Sequence, residues 1–389
     1  MAVTETVRES WISRLGNSLK GMLVGLAFFI IGFPVLFSNE GRSVATAKAL
    51  NEGEGACVPL PSVAAVDPAF EGKLVHATGL ADTDETLDDP EFGVSAVAIM
   101  LRRKVEMYQW HEESHASEKK NLGGSVTRTT TYTYSKGWNE DLVDSSDFKE
   151  AGHDNPPVMG YESLEKLTAR ARLGAYRLNA TTQTPRIGGN APFRLPADYA
   201  CPVEKAQRLG DVLYIPAVAP DTKDGSGREV ASAPQIGDLR VSFEVIMPHE
   251  ISIVAKQMGD TFVPYTAKSG KSVNLLQNGV VDAQAMFASA RRGNAMTTWF
   301  LRLVGFLLMY FGLSMVLRPL SVIGDVVPFI GTIIGIGAGI VAGTVALACA
   351  LVTIAVAWLF FRPVIGVLLL AAAAFLLWRL WSKRRGAKA

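Results

Sequence analysis

Apolar positions along this chain fall into blocks. One covers Met22–Phe37, a much larger one fills Trp299–Trp381, and polar, strand-like sequence lies between them. A helix needs about 20 apolar residues to cross a hydrocarbon core of about 30 Å, so blocks of this length and purity read as membrane spans. The layout predicts an α+β membrane protein: four transmembrane helices plus a large β-rich exoplasmic domain inserted between the first and second spans.

The predicted boundaries follow from the same pattern. Residues 1–20 form a cytoplasmic N-terminus, 21–38 the first transmembrane helix and 39–290 the exoplasmic domain. The first apolar run is read as an uncleaved anchor. The small-residue triplet Ala45-Thr46-Ala47 lies well beyond it, behind Asn39-Glu40-Gly41-Arg42, a poor arrangement for a signal-peptide cleavage site. Residues 291–317 form the second span, which Arg318-Pro319 closes. The apolar run of residues 326–361 would be about 54 Å long as one helix, too long for one simple crossing. It is therefore expected to break at Pro328 and the glycines after it, giving an interfacial or re-entrant piece and a third span. Residues 364–381 form the fourth span and residues 382–389 a basic cytoplasmic tail. With the N-terminus cytoplasmic, four crossings return that tail to the cytoplasm, as the positive-inside rule asks.

Within the central region, Lys73–Thr78, Val97–Trp110, Thr127–Tyr134, Val212–Pro216, Leu239–Met247, Ile251–Lys256 and Val273–Leu276 read as strands. Val97–Trp110 and Thr127–Trp138 flank the polar link Glu112–Gly124, which predicts a long hairpin. Asp282 is placed to cap a helix through Ala283–Arg292 that leads into the second span and joins domain to membrane rigidly.

Charge refines the picture little on average, since the net charge is only +1. Its placement matters more. Lys383, Arg384, Arg385 and Lys388 crowd the tail without an acid, and each such group gains about 1 kcal/mol beside anionic headgroups. The lipid bilayer is thus an expected partner, and nothing points to nucleic acid. Cys57 and Cys201 both fall in the exoplasmic domain, where a disulfide can form; two buried thiols are the other reading.

Candidate chemistry is sparse. His111-Glu112-Glu113-Ser114-His115 matches the zinc pattern H-E-x-x-H, which needs a helix to bring both imidazoles to one metal. Here it follows an alternating strand, which favours a solvated hairpin. Gly270-Lys271-Ser272 resembles the end of a phosphate-binding loop, but Tyr265 stands where its first glycine belongs, so it reads as a turn. Gly331, Gly335, Gly339 and Gly343 recur every fourth residue and form a groove for close helix packing, within the chain or between protomers; Gly21 and Gly25 repeat the spacing. Arg302, just inside the second span, is expected to snorkel to the outer interface, the alternative being a paired charge in the bundle interior.

Several passages resemble the transmembrane protein 43 family, also called LUMA. They are Ser38-Asn39-Glu40-Gly41-Arg42, Glu71-Gly72-Lys73-Leu74-Val75-His76, Leu101 through Trp110, Gly237 through Phe243, Thr266 through Gly270, and Trp358-Leu359-Phe360-Phe361-Arg362-Pro363. The resemblance spans nearly the whole chain. It implies a self-associating multi-pass protein without established catalytic residues, in animals a protein of the endoplasmic reticulum and inner nuclear membrane, for which a channel-type role has also been proposed. The short N-terminus and the alanine- and glycine-rich last third suggest a bacterial member with a periplasmic domain. The expectation is a non-enzymatic homo-oligomeric scaffold, without cofactor or metal, serving an unidentified membrane or exoplasmic protein partner. The alternatives are an ion channel or transport component using residues 326–340 and, more remotely, a zinc hydrolase using His111, Glu112 and His115.

Overall fold

The computed structural model describes residues 3–217 and 234–363. The fourth span and the basic tail with Lys383, Arg384, Arg385 and Lys388 lie outside the described residues. The elements that organise the fold are β1 (Val3–Glu9), α1 (Trp11–Ala56), β2 (Leu74–Asp82), β3 (Met100–Lys120), β4 (Val126–Asn139), β5 (Val212–Ile215), β6 (Leu239–Ile246), β7 (His249–Met258), β8 (Leu275–Asn278), α2 (Ala283–Gly324) and α3 (Pro328–Phe361).

The fold is α+β, with a large β-rich region and, among the described residues, three helices long and apolar enough to cross a membrane. Two larger sheets form the β-rich region. In the first, the strand order β1-β4-β3-β6-β5 is continued by Gln207–Leu209. In the second, β7 pairs antiparallel with β2 along one edge and β8 along the other. Met247 and Pro248 carry the chain directly from β6 to β7 and so from one sheet to the other.

Burial explains the strand patterns. Along β6, Leu239, Val241, Phe243 and Val245 point into a core with Phe92, Val105, Met107 and Leu213, while the residues between them are partly exposed. β7 does not alternate: Ile251, Ser252, Ile253, Val254 and Ala255 are all fully buried. One face of it packs Ile251 and Ile253 against Val75, Ala77 and Ile246. The other packs Val254 with Leu74 and Val273 onto Ala49 and Leu50 of α1 and Met286 and Phe287 of α2. A strand covered on both sides reads as a continuous apolar run.

That last cluster seats the sheets directly on the membrane helices. α1 has 46 residues, so it is about 69 Å long and continues well beyond the expected end of the first span. Residues 39–56 are therefore helix rather than the start of the β-rich domain. Ser10 caps α1 by accepting from Ser13 N at 3.2 Å. α2 starts where expected, with the Asp282 carboxylate accepting from Ala285 N at 2.8 Å, and runs unbroken for 42 residues.

Two expectations change at α3 and β3. The break expected at Pro328 and its following glycines is the start of α3: Pro328 occupies the first turn, where its missing N–H costs nothing, and the helix then continues for 34 residues. The polar link Glu112–Gly124 is mostly strand, since β3 continues to Lys120 and pairs with β4 from Met107↔Asn139 to Lys120↔Val126. β1 adds a third strand to this ribbon, with Val3↔Tyr132 through Glu9↔Val126 in register. Of residues 1–20, read as a cytoplasmic N-terminus, residues 3–9 thus join the sheet and residues 11–20 begin α1.

Candidate functional site: polar junctions at the two ends of the helices

The helices pack through glycine, chiefly at positions other than the predicted ladder. α1 and α2 run antiparallel. A Cβ on Gly25 would stand 2.6 Å from the Gly312 carbonyl oxygen, and one on Gly312 would stand 2.5 Å from that of Gly25. One step along, Gly32 meets Met309 and Gly305 meets Leu36, each with a hypothetical Cβ at 2.5 Å. Both helices space these glycines by seven, two helical turns on one face. The predicted ladder on α3 faces α2 of the same chain more loosely. A Cβ on Gly335 would stand 3.0 Å from Ser321 Oγ, while one on Gly339 or Gly343 would make only ordinary contact with Tyr310. Gly331 is the tight member, because a Cβ there would collide with Asp325.

Near the sheet end, the three helices enclose a carboxylate. Glu40 is fully buried, and its oxygens accept from Arg302 Nε at 2.6 Å, Arg302 Nη2 at 3.0 Å and Trp358 Nε1 at 2.8 Å. The Arg302 guanidinium also lies over the Trp299 ring at 4.7 Å. Arg302 is therefore a paired charge, not a side chain reaching alone for the interface. Around this pair, Asn39 Nδ2 donates to the Thr298 carbonyl at 3.0 Å, and Arg42 donates to Asn39, Asn294 and Thr298. The Phe361 ring lies over Gly41, leaving no room for a side chain there. These partners explain why the polar run stays helical: Asn39, Glu40 and the Arg42 Nη atoms find mates on α2 or α3.

At the opposite end the arrangement differs. Asp325, the C-cap residue of α2, is 1% exposed and accepts from Arg14 at 2.5 Å and Lys120 at 2.7 Å. Arg14 comes from the start of α1, Lys120 from the end of β3. Trp11 Nε1 donates to the Val322 carbonyl at 2.8 Å, satisfying one of the last carbonyls of α2. In the hairpin turn, Gly123 N donates to the Val326 carbonyl at 3.1 Å and the Gly124 carbonyl accepts from Arg14. Gly124 has φ +78° and lies against the Trp11 ring, so glycine is required there twice over. The tip of the ribbon is thus bound to the helix ends farthest from the sheets.

Other sequence candidates separate in the structure. His111, Glu112 and His115 lie on β3, where residues four apart stand about 13 Å from one another, too far to share an ion. Glu112 instead accepts from the Tyr134 hydroxyl at 2.5 Å and from Lys149 N at 2.7 Å. Among the described residues no group of three or more His, Cys, Asp or Glu side chains is placed to hold a metal ion. Cys57 and Cys201 are both free, and they border different apolar clusters. Burial pushes the Cys57 thiol up to about 11, keeping it protonated and unreactive. Gly270-Lys271-Ser272 is the expected turn, with Ala267 N donating to the Lys271 carbonyl at 2.9 Å.

The family profile described as Transmembrane protein 43 matches residues 107–363, from β3 to just beyond α3. Transmembrane protein 43 of Rattus norvegicus is 34% identical over 378 residues, covering 94% of this chain and 91% of the rat protein. That of Homo sapiens is 33% identical over 382 residues, covering 95% and 92%. The Drosophila melanogaster homolog is 31% identical over 383 residues, covering 96% and 95%. No solved structure matches. The matched segment holds Lys120, Arg302, Asp325 and Trp358, while Arg14 and Glu40 precede it.

Proposed function

The chain belongs to the transmembrane protein 43 family, and we propose that it works as a non-enzymatic, self-associating scaffold of the membrane. The β-rich domain is the platform, held on the exoplasmic face for membrane or exoplasmic protein partners. One observation carries this reading. α1 and α2 pass from their apolar spans into the sheet domain as single helices, and Ala49, Leu50, Met286 and Phe287 lock them beneath β7. A domain seated this way keeps a set height and orientation over the bilayer, which suits assembly of partners better than capture of a diffusing substrate.

In a bacterium the platform would face the periplasm; in a eukaryote it would face the lumen of the endoplasmic reticulum and inner nuclear membrane. The basic tail would then rest on the cytoplasmic leaflet. The transport reading that relied on residues 326–340 is weakened, because that backbone is helical from Pro328 onward and Gly335 and Gly339 lie toward α2.

The mass of the purified protein in nanodiscs tests the proposal. A discrete multiple of the chain mass is expected, unchanged over a tenfold dilution. A monomer at every concentration would remove self-association and with it the scaffold.

A further inference from the structure

Three arginines gather at the sheet end of the helices, and only one is neutralised. Glu40 Oε1 accepts from Arg302 Nε, and Oε2 accepts from Arg302 Nη2 and Trp358 Nε1, so a single guanidinium takes both oxygens. Arg42 donates only to neutral groups: Asn294 Oδ1 at 3.1 Å, Asn39 Oδ1 at 3.0 Å and Thr298 Oγ1 at 3.2 Å. Its Nε is buried without a partner. Arg362, the C-cap of α3, lies over the Trp358 ring at 5.8 Å, and Arg302 lies over the same ring at 5.8 Å. The Phe361 ring against Gly41 joins these two points of the chain, since Arg362 and Arg42 are the next residues. Both are partly exposed, and neither makes an ion pair among the described residues.

The neighbouring helices offer no second acid. α2 and α3 contain no Asp or Glu, and neither do residues 362–389. On α1 the next acid after Glu40 is Glu52, about 15 Å further along, where it accepts from Tyr265 and Lys268. Depth then says what surrounds the surplus charge. From Arg14 to Glu40, α1 rises about 39 Å, enough to carry it through a hydrocarbon core of about 30 Å. Trp299, Phe300 and Phe360 are exposed at the Glu40 end, and aromatic rings of this kind collect at the membrane–water interface. A partly buried guanidinium without an acid there needs an anion from outside the chain. Its fork of donors matches phosphate oxygens, and basic sites between spans take anionic headgroups.

We propose that Arg42 and Arg362 hold the phosphate of an anionic phospholipid in the leaflet nearest the sheet domain. The lipid supplies the counter-charge that α1, α2 and α3 lack, at the place where all three meet. The site depends on the crossing of the helices and not on self-association, so it stands or falls apart from the scaffold reading.

Native mass spectrometry of the purified full-length chain in mild detergent tests it. The protein is titrated with dioleoyl phosphatidylglycerol, with dioleoyl phosphatidylcholine and with inorganic phosphate. Phosphatidylglycerol is expected to bind about tenfold more tightly than phosphatidylcholine, and Arg42→Gln or Arg362→Gln to remove most of that difference. Arg42 also ties α1 to α2, so Arg362→Gln decides the matter if Arg42→Gln does not fold. Changing the tail instead, with Lys383→Gln, Arg384→Gln, Arg385→Gln and Lys388→Gln together, is expected to leave the preference in place. Equal affinity for the two lipids would overturn the inference. So would a preference that survives Arg362→Gln, or one that the tail variant abolishes, which would put the lipid at the tail. Displacement of phosphatidylglycerol by inorganic phosphate at equal concentration would assign the site to a soluble anion and overturn the lipid. None of these outcomes changes the oligomer mass, which tests the scaffold separately.

Discussion

The two ends of the helix bundle solve the same problem differently. Each buries a carboxylate against an arginine, yet Glu40 draws its partners from α2 and α3 alone, whereas Asp325 takes one from α1 and one from a β-ribbon that begins in the sheet domain. The first junction is internal to the helices and holds them together. The second is a joint between parts, and its lysine is one-third exposed, able to regain water if the joint opens. Equal burial of the acid therefore does not mean an equal role.

The largest expected effect is at the closed junction. Glu40→Ala strands the Arg302 guanidinium and the Trp358 N–H, and removing one partner of a buried pair costs about 3–5 kcal/mol. Thermal unfolding in nanodiscs checks this, and a melting curve like that of the wild type would show that water reaches the site. Next comes the α1–α2 contact. Gly312→Leu has to push α1 aside and is expected to cost about 1–3 kcal/mol, or more, as overpacking does. Gly343→Ala, against the Tyr310 ring, stays within about 0.5 kcal/mol. Equal losses would return the weight to the α3 ladder.

Asp325→Asn is smaller in stability and larger in motion. It is expected to raise amide hydrogen exchange across residues 3–9 and 113–126 while leaving the sheet core protected. A rise spread through the core as well would make Asp325 part of the general fold. The mildest test lies in the sheets. The Arg240 hydrogen bonds, with a further one from Lys104, hold the Glu106 carboxyl below its ordinary value of 4.5 despite partial burial. A depressed folded value contributes stability that is complete above that ordinary value and disappears as pH falls through the folded one. Arg240→Ala should therefore flatten the acid limb of the stability profile, and an unchanged limb would show that other carboxylates set it.

Much of this was legible in the sequence. The Asp282 cap, the long apolar helix after it, the hairpin and the strands β6 and β7 follow from periodicity and end signals, which local chemistry fixes, although α2 passes through Arg318-Pro319, read as its close, to Gly324. What was not legible depends on facing partners. Asn39-Glu40-Gly41-Arg42 reads as the end of a span, because the groups that satisfy it, Thr298, Arg302 and Trp358, lie over 250 residues away in sequence. Arg302 looked unpaired for the same reason. The glycines at 25, 32, 305 and 312 are spaced by seven on two separate helices, a weaker local signal than the run of four on α3, yet they make the closer contact. The ribbon's attachment to Asp325 has no local signature beyond an acid at a helix end.

The length of α1 has a mechanical consequence. It is one continuous helix from Trp11 to the base of the sheets, with Pro34 inside it, so it acts as a lever with the bilayer as its collar. Spans adapt to a thinner or thicker bilayer partly by tilting. A tilt of about 5° at one end of a rod about 69 Å long shifts the other by roughly 6 Å. Bilayer thickness would thus be written into the lateral position of the sheet domain, with the turn before Pro34 the place in α1 where a bend could absorb it.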